Sequence, residues 1–472
     1  MKIVVTGATG FVGTPLVRAL IARGHEVVAW TRDVSRARLQ LPAQCALQSW
    51  DAHAPNDPAK LRGIDAIIHL AGESVAGSRW TAARKKEILA SRVDSSRSLV
   101  DTLRVMATSD RPRALISASA IGFYGDRGDE VLTERSAAGE GFLADVCRAW
   151  ESEVARAGAL GVRTVAVRVG VVLGRDGGAL GAMLPPFRLG GGGRIGSGRQ
   201  WLSWIHLEDL VGLFVHAVES AQLSGVVNGV APGAVTNARF TKELGRALGR
   251  PTILPVPKLA LRLLLGEMSA ILVASQRVSP ERTLASGFAF RWPELGPALE
   301  SLLADGAHEL TFEQWVPRTP DEVFPFFADA RNLEKITPDF LRFNVLKVTP
   351  ETVGEGTTID YKLVLRGIPL RWRSVIEEWV PGKKFVDRQL KGPYSLWHHT
   401  HEFEPADGGT ILRDRVRFTV PIGALGDVVA GGFVMSDVRK IFAYRHERIA
   451  EIFGTASGRP SGNDGTEHGR AA

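Results

Sequence analysis

The stretch TGATGFVG at residues 6 to 13 sets Gly7, Gly10 and Gly13 three apart, between the β-branched run IVV and the helical pattern PLVRALIARG. Glycines so spaced let the chain turn tightly and let backbone amides approach a pyrophosphate, whose charge the following helix N-terminus stabilises. Thr9, Phe11 and Val12 complete the turn, so the expected chemistry is dinucleotide binding. The next run, GHEVVAWTRD, ends where a ribose would be read, and Thr31 and Arg32 stand there instead of an acid. A guanidinium suits a 2'-phosphate, with Arg36 as a weaker helper, which makes NADP(H) the expected cofactor. The competing reading leaves Arg32 in solvent and gives the 2'-hydroxyl to Asp33.

Such a loop needs a parallel sheet behind it. The runs IVV, EVVAW, AIIHLAG, ALISASA and VRTVAVRVGVVLG alternate with helical patterns, among them RKKEILASRVDSSRSLVDTLR and FLADVCRAWESEVARAG. That rhythm predicts an α/β fold with a doubly wound, Rossmann-type parallel sheet to about residue 230, then a Pro-punctuated helical region. Ligands of open α/β sheets bind at the carboxyl edge, where Tyr124 follows Ser119 closely in SASAIGFYG. Near residue 305 the texture changes to alternating strands rich in Trp and Phe, from ELTFEQWVP to TILRDRVRFTV, which marks a second domain. After its first strand, Thr319 can cap a helix opened by Pro320, with Asp321 and Glu322 at the positive end of the dipole. VRKIFAYRHERIAEIF reads as its closing helix, and residues 456–472 have nothing to bury and are expected to be a disordered tail.

Composition excludes several classes. The 44% hydrophobic and 23% charged content is that of a globular protein, and a net charge of +7 spread along 472 residues gives no nucleic-acid footprint. Two cysteines, Cys45 and Cys147, are too few for a disulfide framework, and the chain opens directly on a strand, so a cytoplasmic address is expected. The apolar run from Leu259 is interrupted by Arg262 and Glu267, so it reads as a buried helix and no integral membrane segment is expected.

Several stretches together carry a family resemblance: the GxxGxxG turn, HLAGE, SASAIGFYG, GSRWTAARKKEILASRV, GFLADVCRAWE, RVGVVLGRDGGAL and GSGRQWLSWIHLEDL. The chain to about residue 300 resembles an atypical extended short-chain dehydrogenase/reductase of an epimerase family of unknown substrate. Residues 250–300 resemble that family's small appended helical module (DUF1731-like). The resemblance implies that Leu70, Ala71 and Gly72 border the cofactor. It also implies a Ser-Tyr-Lys proton-transfer set, of which only Ser119 is present: Leu143 takes the tyrosine place, Cys147 the lysine place, and Arg92 replaces an asparagine. Leucine carries no proton and a thiol is no permanent cation, so the usual acid is missing, and positioned proton transfer is worth ~10² to 10⁴ in rate.

The candidate catalytic residues are therefore Ser119, Tyr124, Arg92 and Cys147, each with a plainer alternative. Tyr124 can be a supporting loop residue, Cys147 a small buried helix residue, and Arg92 the partner of Asp94 or Glu87. Candidate substrate contacts are Glu73, Arg79, Trp80, Gln200, Trp201 and Trp204, the last three after a glycine run that gives a mobile loop; His206 and Asp209 read as turn-forming. Residues 306–455 resemble the α+β helix-grip, START-like or SRPBCC domains, which implies an apolar cavity for a lipophilic ligand. Phe326, Phe340, Trp372, Trp379 and Trp397 are candidates to line it. Of His398, His399 and His401, only the last two share a strand face, and no third ligand of fixed spacing accompanies them, so no metal site is expected. Three functions follow: an NADP-dependent oxidoreductase or epimerase on a small, hydrophobic substrate, a non-catalytic NADP(H) sensor, or a lipophilic-ligand carrier.

Overall fold

The computed structural model describes residues 1–54, 56–175, 177–303, 308–419 and 432–454, with side chains from 434 in the last segment. The expected tail at 456–472 lies outside the described residues. The chain divides into two compact units, whose described residues end at 303 and begin again at 308.

In the first unit, strands β1 (Lys2–Thr6), β2 (Glu26–Thr31), β3 (Ala46–Ser49), β4 (Ala66–His69), β5 (Ala114–Ala120), β6 (Arg163–Val169) and β7 (Gly225–Gly229) form one parallel sheet in the order β7-β6-β5-β4-β1-β2-β3. Val4 pairs with both Val28 and Ile67, and all three side chains are buried, as a sheet covered on both faces requires. One face packs under α1 (Gly13–Ala22) and the helix Leu207–Glu219, through Leu16, Leu20, Leu213 and Phe214. The other packs under α2 (Ala82–Val105) and α3 (Phe142–Ala155), through Leu99, Leu103, Trp150 and Val154. The strand order reverses between β1 and β4, so the loops leaving their carboxyl ends lie side by side.

The run from Leu259 departs from its expected burial. It forms a helix of eight residues, Lys258–Leu265, whose Leu259, Leu263 and Leu264 are 69%, 70% and 66% exposed. Gly266, at φ +62°, ends it before it can present a continuous apolar face to the core. Among the described residues no helix is long and apolar enough to cross a membrane.

The second unit is a seven-stranded antiparallel sheet. Its strands are β8 (His308–Val316), β9 (Asn344–Thr349), β10 (Thr358–Leu365), β11 (Ile368–Val380), β12 (Lys384–Lys391), β13 (Leu396–Ala406) and β14 (Gly409–Thr419), in the order β8-β14-β13-β12-β11-β10-β9. The helix Pro320–Ala328 opens with the Thr319–Glu322 capping box, and the long helix Gly432–Phe453 closes the unit. Its buried Val438, Phe442 and Ile449 face the sheet, with Phe442 stacked 4.2 Å from Phe312. This is the helix-grip arrangement. In this unit β9 alone had no counterpart among the strands read from sequence, since NVLKVT is half exposed and lacks an aromatic residue.

Candidate functional site

The loop after β1 has no room for side chains at two of its three glycines. Gly7 sits at φ +67°, and a Cβ there would lie 2.8 Å from the carbonyl atoms of Leu70; one on Gly13 would lie 2.1 Å from the oxygen of Gly7. The loop is thus pressed onto the segment Leu70–Gly72 that follows β4, while Gly10, bonded through its N–H to Gly7 at 3.0 Å, is exposed. No side chain caps α1 at Val12 and its first turn holds no acid, so the helix end is open to an anion. Phe11 points elsewhere: Cβ atoms on Gly174, Gly177 and Gly178 would lie 2.5, 2.6 and 2.8 Å from its ring, so it fastens the loop to that segment. Thr9 is half-buried within the turn.

At the end of β2, Asp33 is spent as the N-cap of the short helix Val34–Arg38, accepting from the N–H of Arg36 at 2.9 Å. Thr31 Oγ1 donates to the Asp33 carbonyl at 3.2 Å. The Arg32 side chain is 80% exposed, with Nη1 3.5 Å from Glu73 Oε1, and Arg84 Nη1 lies 3.6 Å from Glu73 Oε2. Glu73 therefore stands between the guanidiniums of Arg32 and Arg84. The donor set of glycine loop, open helix end and Arg32 fits a dinucleotide bearing a 2'-phosphate.

Below this edge lies a buried polar chain that links four of the fold's elements. Ser119 Oγ donates to Glu151 Oε1 at 2.6 Å. Arg168, next to the carboxyl end of β6, grips the same carboxylate with two bonds of 2.8 Å and donates from Nη1 to Tyr124 Oη at 3.0 Å. Tyr124 in turn donates to Asn228 Oδ1 at 2.7 Å, and the guanidinium lies 3.3 Å above the Phe123 ring centre. Tyr124 is fully buried, with burial holding its phenol above the usual range. Its oxygen is committed on both sides, so Tyr124 supports the network and is not presented to a substrate.

Cys147 is buried against Ala120, and burial, reinforced by Glu151, pushes its thiol up to about 11. Burial likewise raises Cys45 to about 12. A neutral, enclosed thiol is no nucleophile. A thiol-specific chromogenic disulfide at pH 8 is expected to count no reactive thiols in the native chain and two after unfolding; one fast native thiol would contradict this placement.

Arg92 pairs with neither Asp94 nor Glu87. Its guanidinium lies over Gly72, 5.3 Å from the Trp150 ring, and donates to the carbonyls of Ile88 at 3.0 Å and Glu73 at 2.9 Å. It braces the segment after β4. His69, at the end of β4, is fully buried between Thr6 Oγ1 at 2.7 Å and Ser95 Oγ at 3.2 Å, and burial lowers its pKa to about 4.

The proposed substrate residues are scattered by comparison. Trp204 is fully buried with its indole bonded to Gly233 O at 2.9 Å, so it is core. Arg79 donates to the carbonyls of Leu263 and Leu264, both at 2.7 Å, which latches its loop onto the helix Lys258–Leu265. Trp80 bonds Val75 O and packs edge-on against Phe142. Trp201 bonds Asp129 at 2.7 Å under Arg277. Gln200 is buried, and its Oε1 has no hydrogen-bond partner among the described residues. Gln276 ties this strand to the Tyr124 loop, its side-chain amide donating to Ile121 O and Gly125 O at 3.0 and 2.9 Å. His206 and Asp209 form the turn as expected: Asp209 accepts from the N–H groups of Arg291 and Trp292.

The second unit encloses a cavity of about 150 Å³ lined by Phe326, Phe327, Tyr361, Trp372, Trp379 and Trp397 among others; Phe340 is 60% exposed and takes no part. A polar cluster also lines it. His399 and His401 of β13 share one face, and the sheet register sets Asp387 of β12 opposite His399 and Asp414 of β14 opposite His401. Asp387, the third group facing the two imidazoles, comes from a neighbouring strand, where no sequence spacing fixes it. Burial opposes charge on His399, but the two carboxylates hold it above its ordinary value, and they themselves lie below theirs.

Comparison with known proteins follows the same division. The pattern of the NAD dependent epimerase/dehydratase family matches residues 3–228, a domain of unknown function (DUF1731) matches 256–302, and "polyketide cyclase / dehydrase and lipid transport" matches 307–453. The chain is 40% identical over 303 residues to the epimerase family protein SDR39U1 homolog, chloroplastic, of Arabidopsis thaliana, covering 64% of this chain and 87% of that protein. Epimerase family protein YfhF of Bacillus subtilis is 40% identical over 306 residues, 65% of this chain and 99% of its own. The crystal structure of human SDR39U1 (isoform 2) with NADPH superposes with a TM-score of 0.57 at 36% identity, over 65% of this chain and all of that one. The nucleoside-diphosphate sugar epimerase from Corynebacterium glutamicum gives a TM-score of 0.52 at 35% identity, over 64% of this chain and 58% of that one.

Proposed function

Since this chain belongs to the epimerase family that includes human SDR39U1 and Bacillus subtilis YfhF, we propose that it binds NADP(H) and acts as an atypical oxidoreductase or epimerase on a small hydrophobic substrate. The observation that carries the reading is the Ser119–Glu151 pair at the carboxyl edge of β5, in a fold whose glycine loop and Arg32 fit the cofactor. NADP(H) when bound supplies hydride transfer. Gly7, Gly10, Gly13 and the first turn of α1 would hold its pyrophosphate, Arg32 with Arg36 its 2'-phosphate, and Leu70–Gly72, braced by Arg92, its flank.

Proton handling falls to this chain's own residues. Because Ser119 gives its proton to Glu151, its oxygen is left as an acceptor for a substrate hydroxyl, and the carboxylate behind it can take the proton on. The bidentate Arg168 fixes that carboxylate in place behind Ser119. Residues 308–454 would hold or deliver the lipophilic substrate in their aromatic cavity.

Turnover of NADPH, or epimerisation at fixed NADPH, is expected to fall by about 10²-fold or more in Ser119→Ala with cofactor affinity unchanged. Arg32→Glu should weaken NADPH about 10- to 100-fold and leave NADH unaffected, the worth of a charge-assisted bond. Equal loss for both cofactors would remove the 2'-phosphate role. The second reading, an NADP(H) sensor, is favoured by the enclosure of Tyr124 and Cys147. Tight NADPH binding with no turnover on any lipophile copurifying with the chain would select it.

A further inference from the structure

The cavity of the second unit is walled by aromatic rings, yet two histidines and a carboxylate converge within it. Asp414 Oδ1 lies 3.0 Å from His399 Nε2 and 2.8 Å from His401 Nδ1, so one oxygen accepts from both rings. With those ring protons so used, neutral imidazoles present their remaining nitrogens, His399 Nδ1 and His401 Nε2, as lone pairs. Both turn to the same atom, Asp387 Oδ2, at 3.4 and 3.3 Å. Three such groups facing one another, with the imidazoles only 6% exposed, call for a shared proton or a cation between them.

The spacing identifies a suitable charge. Nitrogen and oxygen ligands held 2.0–2.2 Å from a tetrahedral zinc-type ion lie about 3.3–3.5 Å apart, which is the observed separation from Asp387. The shorter contacts to Asp414 are those of an outer carboxylate that orients metal-bound imidazoles and fixes their tautomers. Phe385, stacked on His401 at 4.1 Å, adds a rigid apolar wall. Arg445 Nη1, 3.8 Å from Asp414 Oδ1, offsets part of that carboxylate's charge.

We propose that Asp387, His399 and His401 form a three-ligand site for one divalent first-row transition ion, held in shape by Asp414. Because all three ligands line the cavity, the remaining coordination position opens towards whatever the cavity holds. The site is independent of the NADP(H) reading.

The test uses the full chain without a polyhistidine tag, stripped with a chelator and titrated with Zn²⁺ or Co²⁺. One ion per chain by elemental analysis after gel filtration is expected, with visible ligand-field absorption for Co²⁺. Asp387→Asn and His401→Gln should weaken binding at least about 100-fold and Asp414→Asn about 10- to 100-fold. His398→Gln, whose ring instead meets Glu377, should bind normally. Should a cavity variant fail to fold, the melting shift that Zn²⁺ gives the unaltered chain is the second measurement. Binding of no ion by the unaltered chain, or undiminished binding by a folded His399→Gln/His401→Gln double variant, would overturn the site.

Discussion

Arg168→Met is expected to destabilise the first unit by about 3–5 kcal/mol, whereas Arg168→Met combined with Glu151→Gln costs far less. The guanidinium is the only cation bonded to Glu151 among the described residues, and both side chains are nearly enclosed, at 4% and 13% exposure. Removing it leaves a carboxylate in a low-dielectric interior with only the Ser119 hydroxyl for a partner, and also takes a donor from Tyr124. With glutamine at 151 no charge is stranded, and Ser119 and the amide can still bond. The measurement is urea unfolding of the full chain. The transition belonging to the first unit is the one displaced by added NADPH, since a ligand shifts only the equilibrium of the unit it binds. If the single variant proves as mild as the double, the network is not held together by its charge pair.

That network also marks where sequence reading stops. TGATGFVG was legible because its geometry is local: eight residues set the turn, the close approach and the helix end. The strands were legible because β-branched and aromatic runs alternate with helical periods. The chain from Ser119 to Asn228 was not, because its bonded partners are 17 to 104 residues apart and meet only through the order of the sheet. One signal was present: Arg168 sits between Val167 and Val169 in RTVAVRV, and a charge in a strand buried on both faces needs a partner. Glu151 of α3 is that partner. The same limit hid Asp387, since the face shared by His399 and His401 follows from a period of two, whereas the register that brings a residue of β12 opposite them does not. Tyr124, Cys147 and Trp204 went the other way: residue types that suit chemistry were used to fill and tie the interior.

A contrast between two glycines separates the fold's demand on the loop from the cofactor's. Gly13→Ala is expected to lower NADPH affinity on the order of 100-fold, about 3 kcal/mol, and to destabilise the chain without cofactor by about 1–3 kcal/mol. Its Cβ would fall 2.1 Å from the oxygen of Gly7 and 2.8 Å from the backbone of Ala8, so the backbone must move, and with it the amides aimed at the pyrophosphate. Gly10→Ala meets only one atom, the Gly7 oxygen at 3.1 Å, and Gly10 is exposed with a negative φ that alanine tolerates. Its methyl group would project where the pyrophosphate approaches. Gly10→Ala should therefore unfold at nearly the same urea concentration as the unaltered chain while losing most of its NADPH affinity. Intact NADPH binding in Gly10→Ala would mean that the cofactor does not lie against this turn, whatever the fate of Gly13→Ala, because only the first substitution spares the backbone that both readings share.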